Sequence, residues 1–134
     1  MRVLITGSSG QIGTNLALAL MARGDEVVGI DRRANEWTDQ IDTRQIDLLT
    51  TKPEDMPEGP FDAVVHLAAY AKVFELVEMP WRALENVSVC FNALDYARRH
   101  RIPIIFGSSR EVYGDIHRHV TEEAEADFVV AESP

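Results

Sequence analysis

Gly7-Ser8-Ser9-Gly10-Gln11-Ile12-Gly13 is the stretch of this chain whose residue types and spacing imply chemistry most directly. Glycines at Gly-x-x-Gly-x-x-Gly spacing let a backbone turn approach a pyrophosphate closely. A helix starting in that turn adds unpaired N–H groups and the positive end of its dipole. The spacing is not the Gly-x-Gly-x-x-Gly of the commoner dinucleotide fingerprint, and a glycine triplet also suits a tight turn without a ligand. The apolar run before it and the helical period after it favour nucleotide binding. Asp31 is the second element: it ends another apolar run 18 residues after Gly13. A carboxylate there accepts both ribose hydroxyls of an adenosine and repels a 2′-phosphate, which favours NAD over NADP. Arg32 and Arg33 pull the other way, because an arginine beside the acid accommodates a phosphate.

These groups need elements to hold them. Arg2 to Thr6 reads as a buried strand stopped by Gly7. Ile12, Leu16, Ala19 and Leu20 recur at helical spacing, and Gly24 sits where a helix end wants a left-handed residue. Glu26 to Ile30 is a second strand, ending at Asp31, and the polar stretch from Arg32 to Asp42 is irregular. A third strand is expected over Arg44 to Leu48, with Pro53 and Pro57 marking a loop behind it, and a fourth over Ala63 to Leu67. One long helix spans Trp81 to Arg101. Leu84, Val87, Phe91 and Leu94 form a stripe on it, widened by Ala83, Cys90 and Ala97, and basic residues suit the dipole at its C-terminus. Pro103 opens a fifth strand, Ile104 to Phe106. Alternating strands and helices, with continuously apolar strands, predict a doubly wound parallel α/β sheet with right-handed crossovers.

Composition bounds the rest. The 134 residues carry 22 acidic and 13 basic side chains, a net charge of −9, with 46% apolar residues. That describes one globular domain and argues against a nucleic-acid partner, which needs a basic footprint. No apolar run approaches the ~20 residues of a membrane span, and the first residues are too few for a signal peptide. The single cysteine, Cys90, excludes an intrachain disulfide and suggests a reducing, cytoplasmic setting. No metal site is expected. His117 and His119 lack further ligands at tight spacing, His66 suits a core position, and Cys90 suits packing.

In order along the chain stand Thr6-Gly7-x-x-Gly10-x-x-Gly13, Asp31, Asp47-Leu48, His66-Leu67-Ala68-Ala69, Asn86 and Ser108-Ser109-x-x-Val112-Tyr113-Gly114. Together they resemble the extended short-chain dehydrogenase/reductase family, the NAD-dependent nucleotide-sugar epimerases and dehydratases, over the whole chain. The resemblance implies a Rossmann fold with residues 1–134 as its NAD-binding domain, the sheet stopping after the fifth strand and the substrate domain absent. It implies that Gly7, Ser9, Gly10, Gln11, Ile12, Gly13 and Asp31 bind NAD, that Asp47 and Leu48 bracket the adenine, and that Leu67, Ala68 and Ala69 let the cofactor pass close to the backbone. Asn86 would fix backbone geometry beside it, Lys72 falls near a cofactor-touching position, and Ser109 would donate a hydrogen bond to the reacting sugar oxygen. It also implies a homo-oligomer joined through the long helix.

The chain departs from the family in one respect. The family's general base is the Tyr of a Tyr-x-x-x-Lys pair, and Tyr70, Tyr96 and Tyr113 are followed four residues on by Phe74, His100 and His117. The expectation is a cofactor-binding portion cut just before its general base, near Ser133-Pro134, and inactive alone. After Ser109, Arg110-Glu111 replaces the Asp-Glu of sugar dehydratases, while Glu111 resembles the nucleotide-sugar decarboxylases and Thr121-Glu122-Glu123 the epimerases. An epimerase is favoured. A decarboxylase, dehydratase or sugar dehydrogenase of the same family, or a catalytically silent NAD-binding module, remain alternatives.

Overall fold

The computed structural model describes residues 1–113, without the side chains of Pro53, Arg110 and Glu111. The elements run β1 (Arg2–Thr6), α1 (Gln11–Ala22), β2 (Glu26–Asp31), β3 (Asp42–Gln45), β4 (Ala63–His66), α2 (Val73–Glu78), α3 (Trp81–His100) and β5 (Ile104–Phe106). Two short 3-10 turns, Pro53–Asp55 and Arg110–Tyr113, complete them. The strands form one parallel five-stranded sheet in the order β3-β2-β1-β4-β5, as the alternating pattern predicts.

Both faces of the sheet are covered, which is why β1 is apolar at successive positions. Val3 and Ile5 join Ala17 of α1, Val27, Ile41 and Val65 on one side. Leu4 points the other way, into a core with Ile30, Val64, Phe61 and Met56 and with Val89, Tyr96 and Ala97 of α3. Gly24, at φ +90°, turns the chain after α1 with no steric conflict for a missing Cβ.

Several expectations need correction. The buried face of α1 is Gly13, Thr14 and Ala17, while Ile12 and Ala19 face out. β3 lies at Asp42–Gln45, starting two residues and ending three residues earlier than expected, because its ladder with β2 pairs Val28 with Asp42 and Asp31 with Gln45. The apolar Ile46 and Leu48 that suggested strand continue past the ladder and turn into the α3-side core. α2 gave no recognisable signal: it is six residues long and buries none of them. On α3 the stripe Leu84, Val87, Phe91 and Leu94 is exposed, between 44% and 72%, and its last three members wall an open apolar groove with Phe106, Cys90 and Asn86. β5 pairs only with β4 among the described residues. None of the described helices is long and apolar enough to cross a membrane.

The loop between β3 and β4 is tied down by Tyr96, whose buried hydroxyl donates to the Pro57 carbonyl at 2.6 Å. Tyr96→Phe leaves that carbonyl without its donor, and urea unfolding is expected to show a loss of about 1–2 kcal/mol. An unchanged midpoint would show that the loop is held by other contacts.

Candidate functional site

β1 and β4 are adjacent in the sheet although β1 continues to α1 on one side and β4 to α2 and α3 on the other. The strands run parallel, but the order in which they join the sheet reverses between them, and a crevice opens at their carboxyl ends, where open α/β sheets take ligands. The floor of the crevice is a close approach of two backbones. Gly7, at φ +74°, lies so near β4's end that a Cβ would meet Ala68 N and Leu67 C at 2.8 Å. A Cβ on Gly13 would overlap the Gly7 carbonyl, so the helix start packs directly on the turn. Gly10 is less confined, with only the Gly7 carbonyl near, at 3.2 Å. It is the N-cap of α1 and offers no side-chain cap, so the first N–H groups of the helix keep their orphan character. Gln11 and Ile12 are exposed at the mouth of the turn.

Asp31 is 8% exposed and held from both sides. Its Oδ2 accepts the Ser9 N–H at 3.1 Å, and its Oδ1 accepts the Arg33 N–H at 2.9 Å. Arg33 Nε stands 3.6 Å from the same oxygen. A carboxylate has about four acceptor positions, so these two amides orient it without saturating it. Ser9 Oγ donates to the Arg33 carbonyl, and Asn35 donates to the Ser8 carbonyl and to Thr14 Oγ1, closing the loop after β2 onto the glycine turn. In β2, Gly29 makes room for Ser8, since a Cβ there would fall 2.5 Å from Ser8 Oγ.

On the other wall, the Thr6 hydroxyl accepts the Leu67 and Ala68 N–H groups at 3.1 and 3.2 Å. With both lone pairs taken, its one proton goes to His66 Nδ1, 2.7 Å away, so the imidazole carries its proton on Nε2. His66 is 3% exposed and stacks on Phe106, and burial holds its pKa below the usual 6.5. It is a core histidine, as its strand position suggested.

The other singled-out residues have the following surroundings. Asp47 Oδ1 accepts the Leu49 N–H at 2.9 Å, capping the turn after β3. Leu48 is 5% exposed in the α3-side core, with its carbonyl bonded by Asn92. Ala68 is half-buried, and Ala69 is exposed. Asn86 clasps the main chain of Tyr70, accepting its N–H at 2.8 Å and donating to its carbonyl at 3.0 Å. Lys72 precedes α2 and pairs with Glu75 at 3.3 Å. Ser109 is exposed at the carboxyl end of β5, its carbonyl accepting the Val112 N–H. Glu111 lies in the 3-10 turn with its side chain outside the described residues, as are His117, His119 and Ser133-Pro134. Among the described residues no three His, Cys, Asp or Glu side chains cluster to hold a metal.

Several contributors were not readable from spacing. Asn35 and the Thr6 hydroxyl act through bonds to residues remote in sequence, the Arg33 amide reaches Asp31 two positions back, and only Thr6 lay within a recognisable motif. Arg32 and Tyr70 form a further pair: the guanidinium carbon sits 4.7 Å from the ring centroid, and Nη1 donates to the phenol oxygen at 3.2 Å. Burial pushes the Tyr70 phenol up, opposed by Arg32.

The sequence profile of the NAD dependent epimerase/dehydratase family matches residues 3–134. A UDP-glucose 4-epimerase of Corynebacterium glutamicum is 34% identical over 123 residues, covering 86% of this chain and 37% of that protein. Among solved structures, an NAD-dependent NDP-hexosamine 5,6-dehydratase of tunicamycin biosynthesis is 31% identical with a TM-score of 0.74, over 91% of this chain and 41% of that one. A Thermus thermophilus UDP-glucose 4-epimerase solved with NAD is 28% identical with a TM-score of 0.71, over 95% and 42%. The chain thus spans about two-fifths of the length of the proteins it matches.

Two measurements test the β1–β4 wall. Thr6→Val removes the acceptor of Ala68 N–H and the donor to His66, and is expected to cost about 2 kcal/mol, while Thr6→Ser costs under about 1 kcal/mol. A Thr6→Val loss no larger than that of Thr6→Ser would show that the hydroxyl bonds do not hold this wall. His66 is held neutral in the folded state, so the unfolded chain binds the extra proton. Stability from this group is therefore full above the ordinary pKa of 6.5 and is lost as pH falls below it. The drop in melting temperature between about pH 7.5 and pH 5.5 is expected to shrink in His66→Asn, which keeps an acceptor for Thr6 without titrating. An unchanged drop would place the acid sensitivity elsewhere.

Proposed function

This chain belongs to the NAD dependent epimerase/dehydratase family, and from that premise we propose that residues 1–134 are the NAD-binding domain of a nucleotide-sugar epimerase. The observation that carries the proposal is the pre-set Asp31 carboxylate, oriented by the Ser9 and Arg33 amides beside the glycine turn. In this reading the pyrophosphate lies over Gly7 to Gly13, against the uncapped N–H groups of α1, with Ser9, Gln11 and Ile12 at its rim. Asp31 takes the adenosine ribose hydroxyls, and its charge selects NAD over NADP. Asp47 offers its carboxylate to the adenine amine. Leu48, whose side chain is in the core, has its main-chain N–H to offer. The backbone from Leu67 to Ala69 borders the dinucleotide, and Asn86 holds that border through Tyr70.

When bound, NAD supplies a hydride acceptor for a sugar carbinol. Ser109, at the carboxyl end of β5, is assigned to the reacting sugar oxygen, with Glu111 next to it in sequence. Epimerases are prominent among the similar proteins, and Arg110 in place of an acid argues against water elimination. A decarboxylase, a sugar dehydrogenase or a silent NAD-binding module are the rival readings. None of the three tyrosines of residues 1–134 is followed four residues on by Lys, so these residues are proposed to bind NAD without turning over a nucleotide sugar.

The exposed face of α3 is the proposed contact between copies of the chain. A charge of −9 opposes association at low salt, and screening over a Debye length of ~8 Å at physiological ionic strength removes much of that barrier. Light scattering at tens of micromolar protein is expected to show mass rising with salt; a monomer at both low and high salt contradicts it.

Calorimetric titration tests the cofactor assignment. NAD is expected to bind more tightly than NADP, and Asp31→Ala to weaken NAD by about tenfold or more while affecting NADP less. NADP as the tighter ligand of the unmodified chain would overturn it.

A further inference from the structure

Two arginines follow Asp31, and the fold sends them different ways. Arg33 Nε approaches the carboxylate, 3.6 Å from Oδ1. Arg32 turns away toward Tyr70, lying against its ring at 4.7 Å and donating to its hydroxyl at 3.2 Å. Tyr70 is a firm anchor. Its main chain is clasped by the Asn86 amide, and a second guanidinium, Arg82, stands 4.7 Å from the ring centroid while pairing with Glu75. The Arg32 main chain is also fixed, since its carbonyl accepts Gln45 Nε2 at 3.1 Å. Only the Arg32 side chain is therefore left to choose between Tyr70 and the space beside Asp31.

We propose that Tyr70 is a specificity-determining positioning residue: by holding the Arg32 guanidinium on its ring, it keeps that charge away from Asp31 and so sustains discrimination against a 2′-phosphorylated dinucleotide. The inference rests on the NAD reading above and deepens it. A 2′-phosphate beside Asp31 meets a carboxylate that a single exposed arginine, Arg33, only partly offsets. With Arg32 also swung beside Asp31, two guanidinium groups face that phosphate, and bidentate arginine–phosphate pairing becomes available. Stacking of an exposed guanidinium on a half-buried ring is a modest attraction, so it shifts a population rather than locking it. The apparent affinity for a ligand scales with the fraction of molecules in the competent arrangement.

The test is calorimetric titration of the chain with NAD and with NADP. In Tyr70→Leu, which retains the main-chain clasp, NADP affinity is expected to rise about fivefold or more, with NAD changed less than about twofold. In Tyr70→Leu combined with Arg32→Ala the gain is expected to vanish. Arg32→Ala alone is expected to leave both affinities within about twofold, because the held side chain serves neither cofactor. This arm decides the matter even where Tyr70→Leu does not fold. A fivefold loss of NADP affinity in Arg32→Ala, no NADP gain in a folded Tyr70→Leu, or a gain that survives Arg32→Ala would each overturn the proposal. NAD binding by the unmodified chain with any of those results sinks this inference alone. Binding of neither dinucleotide sinks the NAD reading and this inference with it.

Discussion

The contact on which the site depends is the approach of the Gly7 backbone to the ends of Leu67 and Ala68. With the Gly7 Cα so close to β4 that no Cβ fits, the turn after β1 is pressed into the reversal point of the sheet. A side chain at this position would be strained twice, by the steric overlap and by φ +74°. Gly13 then stacks the start of α1 on the Gly7 carbonyl, so the two glycines together set where the orphan N–H groups of the helix emerge. Gly10 has a different reason to be glycine: it leaves the helix without a side-chain cap, and the donors remain available to an anion.

Around this contact two sets of polar groups share the turn, while the buried Ser8 Oγ between them has no hydrogen-bond partner among the described residues. Thr6 distributes a single hydroxyl over two β4-end amides and one imidazole, joining β1 to β4 below the crevice. Asp31 gathers the Ser9 and Arg33 amides, joining the turn to the end of β2. Because Ser9 is bonded to Asp31 and Thr6 immediately precedes Gly7, a shift of either strand end displaces the glycine turn. A buried network of this kind holds geometry only when its members are satisfied. That explains why the hydroxyl, the imidazole tautomer and the carboxylate orientation form a consistent set.

The strand ends of β1, β2 and β5 were legible because glycine, aspartate or a glycine-serine run stops an apolar stretch on both faces of a buried sheet. β3 was misplaced because its hydrogen-bond register with β2, not its polar side chains, decides where it lies. The α1 stripe was misjudged at Ile12 and Ala19, since the helix packs through small residues: Gly13 against the turn, and Ala17 against Val3, Ile5 and Val27. Gly7, Gly13 and Asp31 could be found by spacing because their roles are local to one β-α-β unit. The partnership of Thr6 with His66, or of Arg32 with Tyr70, joins residues 60 and 38 positions apart, and no periodicity encodes it. Leu48 shows the opposite case, where a residue placed at the ligand by its motif sends its side chain into the core.

The account's central claim is that the glycine turn and Asp31 form one dinucleotide site at the β1–β4 reversal. Two-dimensional amide NMR of the chain titrated with NAD addresses it directly, because each backbone N–H reports its own surroundings. The account predicts shifts concentrated on residues 9–13, 31–33 and 67–70, with the outer face of α3 from Val87 to Leu94 unmoved. Shifts centred on the α3 groove, or none at saturating NAD, would contradict it.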